Sequence, residues 1–129
     1  MAPVEAITEG IRVEVASTYR PERSSPIGGR WFFTYTVRIA NEGDAAATLR
    51  TRQWHIVNAN GHRHEVEGRG VVGREPRIEP GEHYTYTSAC PLDTPFGSMS
   101  GTYRLEKDDG STIDAEIPRF VLAAPHSIH

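Results

Sequence analysis

The chain has 129 residues, of which 37% are hydrophobic and 24% are charged, so it fits one globular domain with a single core. Acidic residues outnumber basic ones by 17 to 14, and the resulting formal net charge of -3 argues against binding to duplex nucleic acid. The single cysteine cannot form an internal disulfide, and no run approaches the roughly 18 apolar residues of a membrane-spanning helix.

Alternating apolar and polar residues predict β-strands along most of the chain. In residues 11–15 and 30–39 every second side chain is apolar, which places these side chains on one face of an extended chain. In the longer segment this face carries Trp31, Phe33, Tyr35, Val37 and Ile39. The same pattern predicts five further strands, in residues 48–58, 64–66, 82–90, 101–107 and 112–122. We therefore expect seven or eight strands.

Turn-forming residues lie between these strands. Asn60-Gly61 and Asp109-Gly110 are typical of β-hairpin tips, and residues 41–44 and 79–81 have the composition of turns. No window of a dozen residues has apolar side chains at helical spacing, so any helix is at most one turn long. Successive strands joined by such turns predict an all-β fold, an antiparallel β-sandwich of the immunoglobulin or fibronectin type III kind.

One domain is expected to span residues 1–129, with about 5–123 ordered and a mobile tail at 124–129. Phe32 has the opposite parity to its apolar neighbours, so we expect it to be exposed near the loop of residues 20–30, where it could contact a partner. An uncovered strand edge could also take up an extended partner segment. The N-terminal residues lack the basic start and apolar stretch of a signal peptide, so we expect a cytoplasmic protein that does not bind membranes.

Residues 68–73, GRGVVG, match the G-x-G-x-x-G pattern of dinucleotide-binding folds. In those folds a helix begins inside the motif, and its N-terminal amides bind the pyrophosphate. Pro76 and Pro80 follow too closely for such a helix to form. A dinucleotide site of that type is therefore not expected.

Two other interpretations of the glycine motif stay open. In the first, the three glycines provide bulges or positive φ angles while Val71 and Val72 fill the core. In the second, backbone amides of loop 68–77 bind phosphate or pyrophosphate, assisted by nearby arginines. The residues of this candidate anion site are Gly68, Arg69, Gly70, Gly73, Arg74 and Arg77.

The histidines and the cysteine offer other chemistry. His62 and His64 lie on one face of an extended segment, and His55 or His83 could supply a third metal ligand. Histidines beside an Asn-Gly hairpin tip are usually solvated, so metal binding is kept only as an alternative, and no cofactor is expected. Cys90 precedes a proline at a strand end, where a free cysteine usually packs as a small apolar residue. No nucleophile elbow or tuned carboxylate pair is present, so we do not expect an enzyme.

Longer ordered stretches resemble one protein family. They are RQWHIVNANG (52–61), EVEGRGVVGREPRIEPGE (65–82), YTS (86–88), TPFGSMSGTY (94–103) and IPRF (117–120). Together they are similar to the bacterial ApaG family, and the similarity covers nearly the whole chain.

This resemblance implies a fibronectin type III-like or immunoglobulin-like sandwich, in agreement with the periodicity. The family has no established activity; it is named for a genomic neighbourhood shared with a diadenosine tetraphosphatase and an rRNA methyltransferase, and it has been linked to cobalt and magnesium resistance. In some eukaryotic F-box proteins a similar domain looks like a protein-interaction module. We therefore expect a non-enzymatic protein-interaction module, a monomer or weak homodimer. Binding of phosphate or nucleotide through residues 68–77 and binding of a divalent metal are the alternatives.

Overall fold

The structure, a computed structural model, describes residues 3–125. In this range the chain forms nine β-strands and one 3-10 helix, Pro21–Arg23. The strands are β1 (Val4–Thr8), β2 (Ile11–Tyr19), β3 (Trp31–Asn41), β4 (Ala47–Asn58), β5 (Arg63–Arg69), β6 (Arg77–Ile78), β7 (His83–Leu92), β8 (Phe96–Lys107) and β9 (Thr112–Ala123). None of the described residues belongs to a helix that is long and apolar enough to cross a membrane.

The seven predicted strands are all present, and the structure adds β1 and β6. Strand β1 does not follow the alternating pattern, because Val4 is partly buried whereas Ile7, at the opposite parity, is exposed. Strand β6 has only two residues, too few to form a periodic pattern. Both predicted hairpin tips are confirmed: Gly61 lies between the paired strands β4 and β5, and Gly110 between β8 and β9, each with a positive φ.

The strands form two packed antiparallel sheets, as predicted for a sandwich. One sheet has the order β1-β2-β3-β7, and the other has the order β5-β4-β8-β9 with β6 paired to β4. Within the described residues the count is nine strands rather than seven or eight. The all-β sandwich of immunoglobulin or fibronectin type III kind is otherwise confirmed.

Trp54 occupies the centre of the core between the sheets. Its ring packs edge-on against Tyr35, Tyr103 and Phe120, with centroid separations of 5.3, 6.2 and 6.0 Å. Edge-to-face contacts of this kind stabilise a core beyond the area they bury. The inward face predicted for β3 is confirmed from Phe33 onward, while Trp31 at its start is only partly buried.

A hydrogen bond between two buried phenols joins the sheets. The hydroxyl of Tyr86 on β7 is paired with that of Tyr103 on β8. Burial raises the pKa of both phenols, so each stays neutral and the pair satisfies two polar groups that would otherwise be costly inside the core.

Phe32 is buried, so the prediction that it is exposed was wrong. The loop of residues 20–30 folds over its ring, and the guanidinium carbon of Arg23 lies 4.0 Å from the ring centroid. The Phe32 amide donates to Ser24 Oγ at 2.8 Å, which holds the loop in place. The loop therefore serves as a cover for the outer face of β3.

The chain end packs against the sandwich as far as the structure describes it. Ala124 follows β9, is buried, and donates its amide hydrogen to the Pro95 carbonyl at 2.9 Å. Residues 126–129 lie outside the described residues, and the expectation of a mobile tail stays a prediction for them.

The two sides of the sandwich differ. On one side β9 contacts both β1 and β2, and the Glu116 amide donates to Thr8 Oγ1 at 3.0 Å. On the other side the edge strands β5 and β7 border a gap between the sheets. The fold thus closes one pair of edges and leaves the other pair open.

Strands β4 and β8 approach each other closely at Gly101, and a substitution there tests this approach. A Cβ at this position would lie 1.9 Å from the Gln53 carbonyl oxygen, which is backbone and cannot rotate away. We expect Gly101→Ala to lower the free energy of unfolding by about 3 kcal/mol, the upper end of the usual cost of overpacking, as measured by urea denaturation. Ser100→Ala is the control and should change it by less than about 0.5 kcal/mol; equal midpoints for Gly101→Ala and wild type would contradict the close approach.

Candidate functional site

A groove runs between the edge strands β5 and β7. It consists of three adjoining cavities of about 370, 370 and 250 Å³, which share lining residues and so form one continuous surface. We call it the β5–β7 groove. It extends from the turn at residues 71–73 to Asp93.

The middle of the groove is apolar. Trp54, Ile56 and Val66 line it from the β4–β5 side, and Cys90 lines it from β7. Ile56 and Val66 are only partly buried, although both pack against the core. The groove therefore has room for an aliphatic side chain from another molecule.

Arg52 occupies one end of the groove. It has the same parity as Trp54 and Ile56 on β4, so its side chain lies on the groove side of the sheet. Its Nη1 donates to the carbonyl oxygens of Arg69 and Gly70, each at 2.9 Å. Among residues 3–125, no carboxylate lies within ion-pair distance of it.

Hydroxyl groups lie beside Arg52. Tyr35 and Ser88 are register partners on β3 and β7, and both line the cavity beside Arg52. Burial raises the pKa of Tyr35, while the neighbouring Ser88 hydroxyl and the Arg52 charge act in the opposite direction. The phenol is therefore neutral at physiological pH and can donate a hydrogen bond.

Each glycine of the GRGVVG motif has a structural reason. A Cβ on Gly68 would lie 2.7 Å from the guanidinium of Arg52, and a Cβ on Gly70 would lie 2.1 Å from the Arg74 carbonyl oxygen. Val72 and Gly73 both have positive φ, as the central residues of a type I′ turn require. Of the two valines predicted to fill the core, Val71 does so, but Val72 is 62% exposed at the tip of the turn.

Three amides of this loop are engaged. Those of Gly70, Val71 and Arg74 donate to the carbonyls of Arg50, Arg74 and Val71 at 2.8, 2.8 and 3.0 Å. An anion would need donors that point into solvent, and these three do not.

The arginines of the candidate anion site differ in their partners. Arg69 pairs with Glu75 at 3.3 Å, and Arg77 pairs with Asp108 and Glu79. Arg74 is exposed and has no ion pair within the described residues. The anion hypothesis stays a prediction that would rest mainly on Arg74.

The histidines do not converge. His62 and His64 are exposed at the far end of the groove, whereas His55 faces the other side of the sheet and pairs with Glu65 at 3.2 Å. His83 lies at the opposite end of β7, level with Ala40 of β3. Within residues 3–125, no three metal-ligating side chains are grouped where they could hold an ion.

The edge of β7 carries backbone groups that no strand in the described part of the chain covers. The Asn41 amide donates to the Glu82 carbonyl, so the odd-numbered residues of β3 form backbone hydrogen bonds with β7. The Arg20 amide donates to the Phe32 carbonyl, so the even-numbered residues of β3 form theirs with β2. The odd-numbered residues of β7 therefore direct their amides and carbonyls outward. These are Thr85, Thr87, Ala89 and Pro91, the last of which has no amide hydrogen.

The two edges that border the groove differ in charge. Strand β5 carries Arg63, Glu65, Glu67 and Arg69 at its edge-facing positions, and charged side chains of this kind discourage pairing with another chain. Strand β7 has no charged residue from Tyr84 to Leu92, and its register with β3 is regular over the whole strand. Of the two, β7 is the edge that can pair.

Two features of the groove were not predicted from the sequence: the position of Arg52 and the free edge of β7. Arg52 has the parity of Trp54 and Ile56, and a charged residue on an inward face is the signal that could have marked it. The free edge of β7 had no such signal, because strand order cannot be read from periodicity.

The chain is similar to known proteins over nearly its whole length. A family model described as the ApaG domain matches residues 21–107. The chain is 57% identical to Protein ApaG of Anaeromyxobacter dehalogenans (strain 2CP-C) over 124 residues, 96% of this chain and 98% of that one. It is 48% identical to Protein ApaG of Methylobacterium radiotolerans over 122 residues, 95% of this chain and 94% of that one. A crystal structure of a structural genomics target from Bordetella pertussis superposes with a TM-score of 0.87 at 42% identity, covering 90% of this chain and 94% of that chain.

The turn at Val72 stores backbone strain. A β-branched residue at a φ of 48° is unfavourable, and Asn-Gly is the preferred pair for a type I′ turn. We expect Val72→Asn to raise the free energy of unfolding by about 1 kcal/mol, measured by urea denaturation. Val121→Asn changes an exposed valine on β9 that does not have a positive φ, and it should give no gain; a Val72→Asn variant no more stable than wild type would show that no strain is relieved.

Cys90 should be unreactive in the folded protein. Burial raises its pKa from 9.0 to about 11, so the thiolate fraction at pH 8 falls about 100-fold. We expect a disulfide reagent such as DTNB to react at least that much more slowly with folded than with urea-unfolded protein. The control is Cys90→Ser combined with Ala89→Cys, which moves the thiol to an exposed neighbouring position and should react rapidly; fast labelling of the native protein would contradict the burial.

Proposed function

The chain belongs to the ApaG family, and on that premise we propose that it is a protein-interaction module that binds an extended segment of a partner protein along the edge of β7. Strand addition uses the backbone of the partner for affinity and its alternate side chains for specificity. The β5–β7 groove lies next to this edge and would receive the inward-facing side chains.

The observation that carries the proposal is the uncharged, regular edge of β7. Natural sheets protect free edges with charges, bulges or covering segments. Within the described residues β1 and β9 cover one another, and β5 bears charges, but β7 has none of these devices before Pro91. An edge left unprotected beside an apolar groove is suited to binding another chain.

The geometry of β7 sets the length of the bound segment. The amides and carbonyls of Thr85, Thr87 and Ala89 are available for pairing, and Pro91 ends the run of amide donors. A segment of about five to seven residues would cover these groups, given that edge-facing residues recur every second position.

The chemistry of the groove favours binding over catalysis. Cys90 is buried, its pKa is raised, and within residues 3–125 the one hydrogen-bond partner of its Sγ is the Pro91 carbonyl, at 3.8 Å, which cannot act as a base. The nearby phenols also have raised pKa values, so they are poor nucleophiles at neutral pH. We further propose a cytoplasmic location, which suits a protein with an unpaired cysteine.

Phosphate binding through residues 68–77 is a second candidate, favoured by the guanidinium of Arg74, which has no ion pair among residues 3–125. It predicts that Arg74→Glu weakens binding of inorganic phosphate without unfolding the protein. Since the Gly70, Val71 and Arg74 amides are engaged, we rank it below strand addition.

A proline introduced on the edge of β7 distinguishes strand addition from other modes of binding. The Ala89 amide faces outward, so Ala89→Pro removes one donor for the partner while the β3–β7 pairing is kept. Peptides would be selected from a random ten-residue phage library on the wild-type protein and their affinities measured by fluorescence anisotropy. We expect Ala89→Pro to weaken binding about tenfold or more, through one lost hydrogen bond and the bulk of the ring.

Ala89→Ser is the matched control, since it alters the same side chain but keeps the amide. In the complex, the amides of Thr85 and Thr87 should exchange with solvent more slowly than in the free protein. Equal affinity of selected peptides for Ala89→Pro and wild type would refute binding along β7. Sedimentation without peptide would show whether the partner is a second copy of this chain, in which case Ala89→Pro should abolish a concentration-dependent dimer.

A further inference from the structure

The β5–β7 groove contains an arginine whose charge is unmatched. Arg52 is half-buried on the groove side of β4, and within the described part of the chain it bonds only to two backbone carbonyls, through Nη1. No buried side-chain nitrogen among those residues lacks a partner, so the donors of Arg52 that have no partner in the protein are exposed to solvent. A partly desolvated guanidinium of this kind favours binding of an anion.

The guanidinium is held in place before any ligand arrives. The two carbonyls, at residues 69 and 70, fix one nitrogen, and the absence of a side chain at Gly68 leaves the space that the guanidinium occupies. A fixed planar fork can bond both oxygens of a carboxylate and loses little conformational freedom in doing so.

Competing carboxylates lie elsewhere. Glu75, near the turn, is already paired with Arg50 and Arg69, and Asp93, at the far end of the groove, accepts a hydrogen bond from Asn58 Nδ2 at 3.0 Å. The cavity beside Arg52 has a volume of about 250 Å³ and is also bordered by Ser88. It can admit a carboxylate side chain.

The register of β7 relates this charge to the apolar part of the groove. Ser88 lines the cavity of Arg52, and Cys90, two residues later and on the same face, lines the apolar middle beside Trp54. A segment paired with β7 presents alternate side chains inward, about 6.6 Å apart. One inward side chain would therefore meet Arg52 while the next meets the apolar cavity.

We propose that the segment bound along β7 carries an aliphatic residue and an acidic residue two positions apart, with the acidic carboxylate bound by Arg52 and the aliphatic side chain placed against Trp54, Ile56 and Val66. An antiparallel segment, the more stable arrangement, reads Leu-x-Glu or an equivalent such as Val-x-Asp. The proposal rests on strand addition at β7 and names the chemistry of the partner.

Synthetic peptides test the spacing and the charge. Ten-residue acetylated peptides of Ser and Thr would carry Leu-Thr-Glu, Leu-Thr-Gln or Leu-Glu-Thr, and their binding to the wild-type protein would be measured by calorimetry. We expect the Leu-Thr-Glu peptide to bind about tenfold more tightly than the other two, the ratio typical of one charge-assisted hydrogen-bonded pair. The preference for Glu over Gln should shrink as salt is raised.

Arg52→Met should remove the preference for Glu over Gln, whereas Arg104→Met, which alters an arginine paired with Asp114 on the outer face, should keep it. Arg52→Lys retains the positive charge without the planar guanidinium and should keep part of the preference for Glu over Gln. This result would separate loss of the charge from a structural effect of Arg52→Met on the turn at residues 69–70. Persistence of the full preference in Arg52→Met would overturn the assignment to Arg52. No preference in the wild type, with binding still sensitive to Ala89→Pro, would overturn this inference and leave strand addition standing; no binding of any peptide would overturn both.

Discussion

Two packed sheets have four edges, and the backbone groups of every edge must find hydrogen-bond partners in the protein, in water or in another molecule. In this sandwich the edges differ in how well their backbone groups are protected. Strands β1 and β9 cover each other, and β5 is bordered by charged side chains and by Arg52, which bonds the Arg69 carbonyl at its end. Within residues 3–125, Pro91 is the one protective feature of strand β7. The open side of the molecule is a consequence of this asymmetry.

The same asymmetry explains the position of Arg52. On the closed side the inward faces are filled by apolar side chains, but beyond Trp54 the space between the sheets opens to solvent. A guanidinium is tolerated there because its stem packs along the sheet while its head reaches water and backbone carbonyls. The tyrosine hydroxyls next to it are polar groups of the same boundary zone, neutral because burial raises their pKa values.

The glycine motif is part of this arrangement. Gly68 leaves space for the Arg52 head, Gly70 allows the chain to pass the Arg74 carbonyl, and Gly73 completes the turn. In this pattern, which resembles a cofactor signature, the first glycine adjoins a side chain sixteen residues earlier in the chain, and the other two are explained by the turn. The amides of Gly70, Val71 and Arg74 pair within the turn and with β4, which is why the motif identifies the fold more securely than a ligand.

Much of the fold could be read from the sequence, because alternation depends only on neighbouring residues: the seven main strands, the inward face of β3 from Phe33 onward, and the hairpins at Gly61 and Gly110 follow from it. Parity alone was misleading for Phe32, since a loop can cover the outer face of a strand, and for Val72, which lies in a turn rather than a strand. The groove itself depended on tertiary structure. Arg52 and Ser88 are brought to the same cavity by the order of strands in two sheets, and that order is set by packing between distant segments, which local periodicity does not encode.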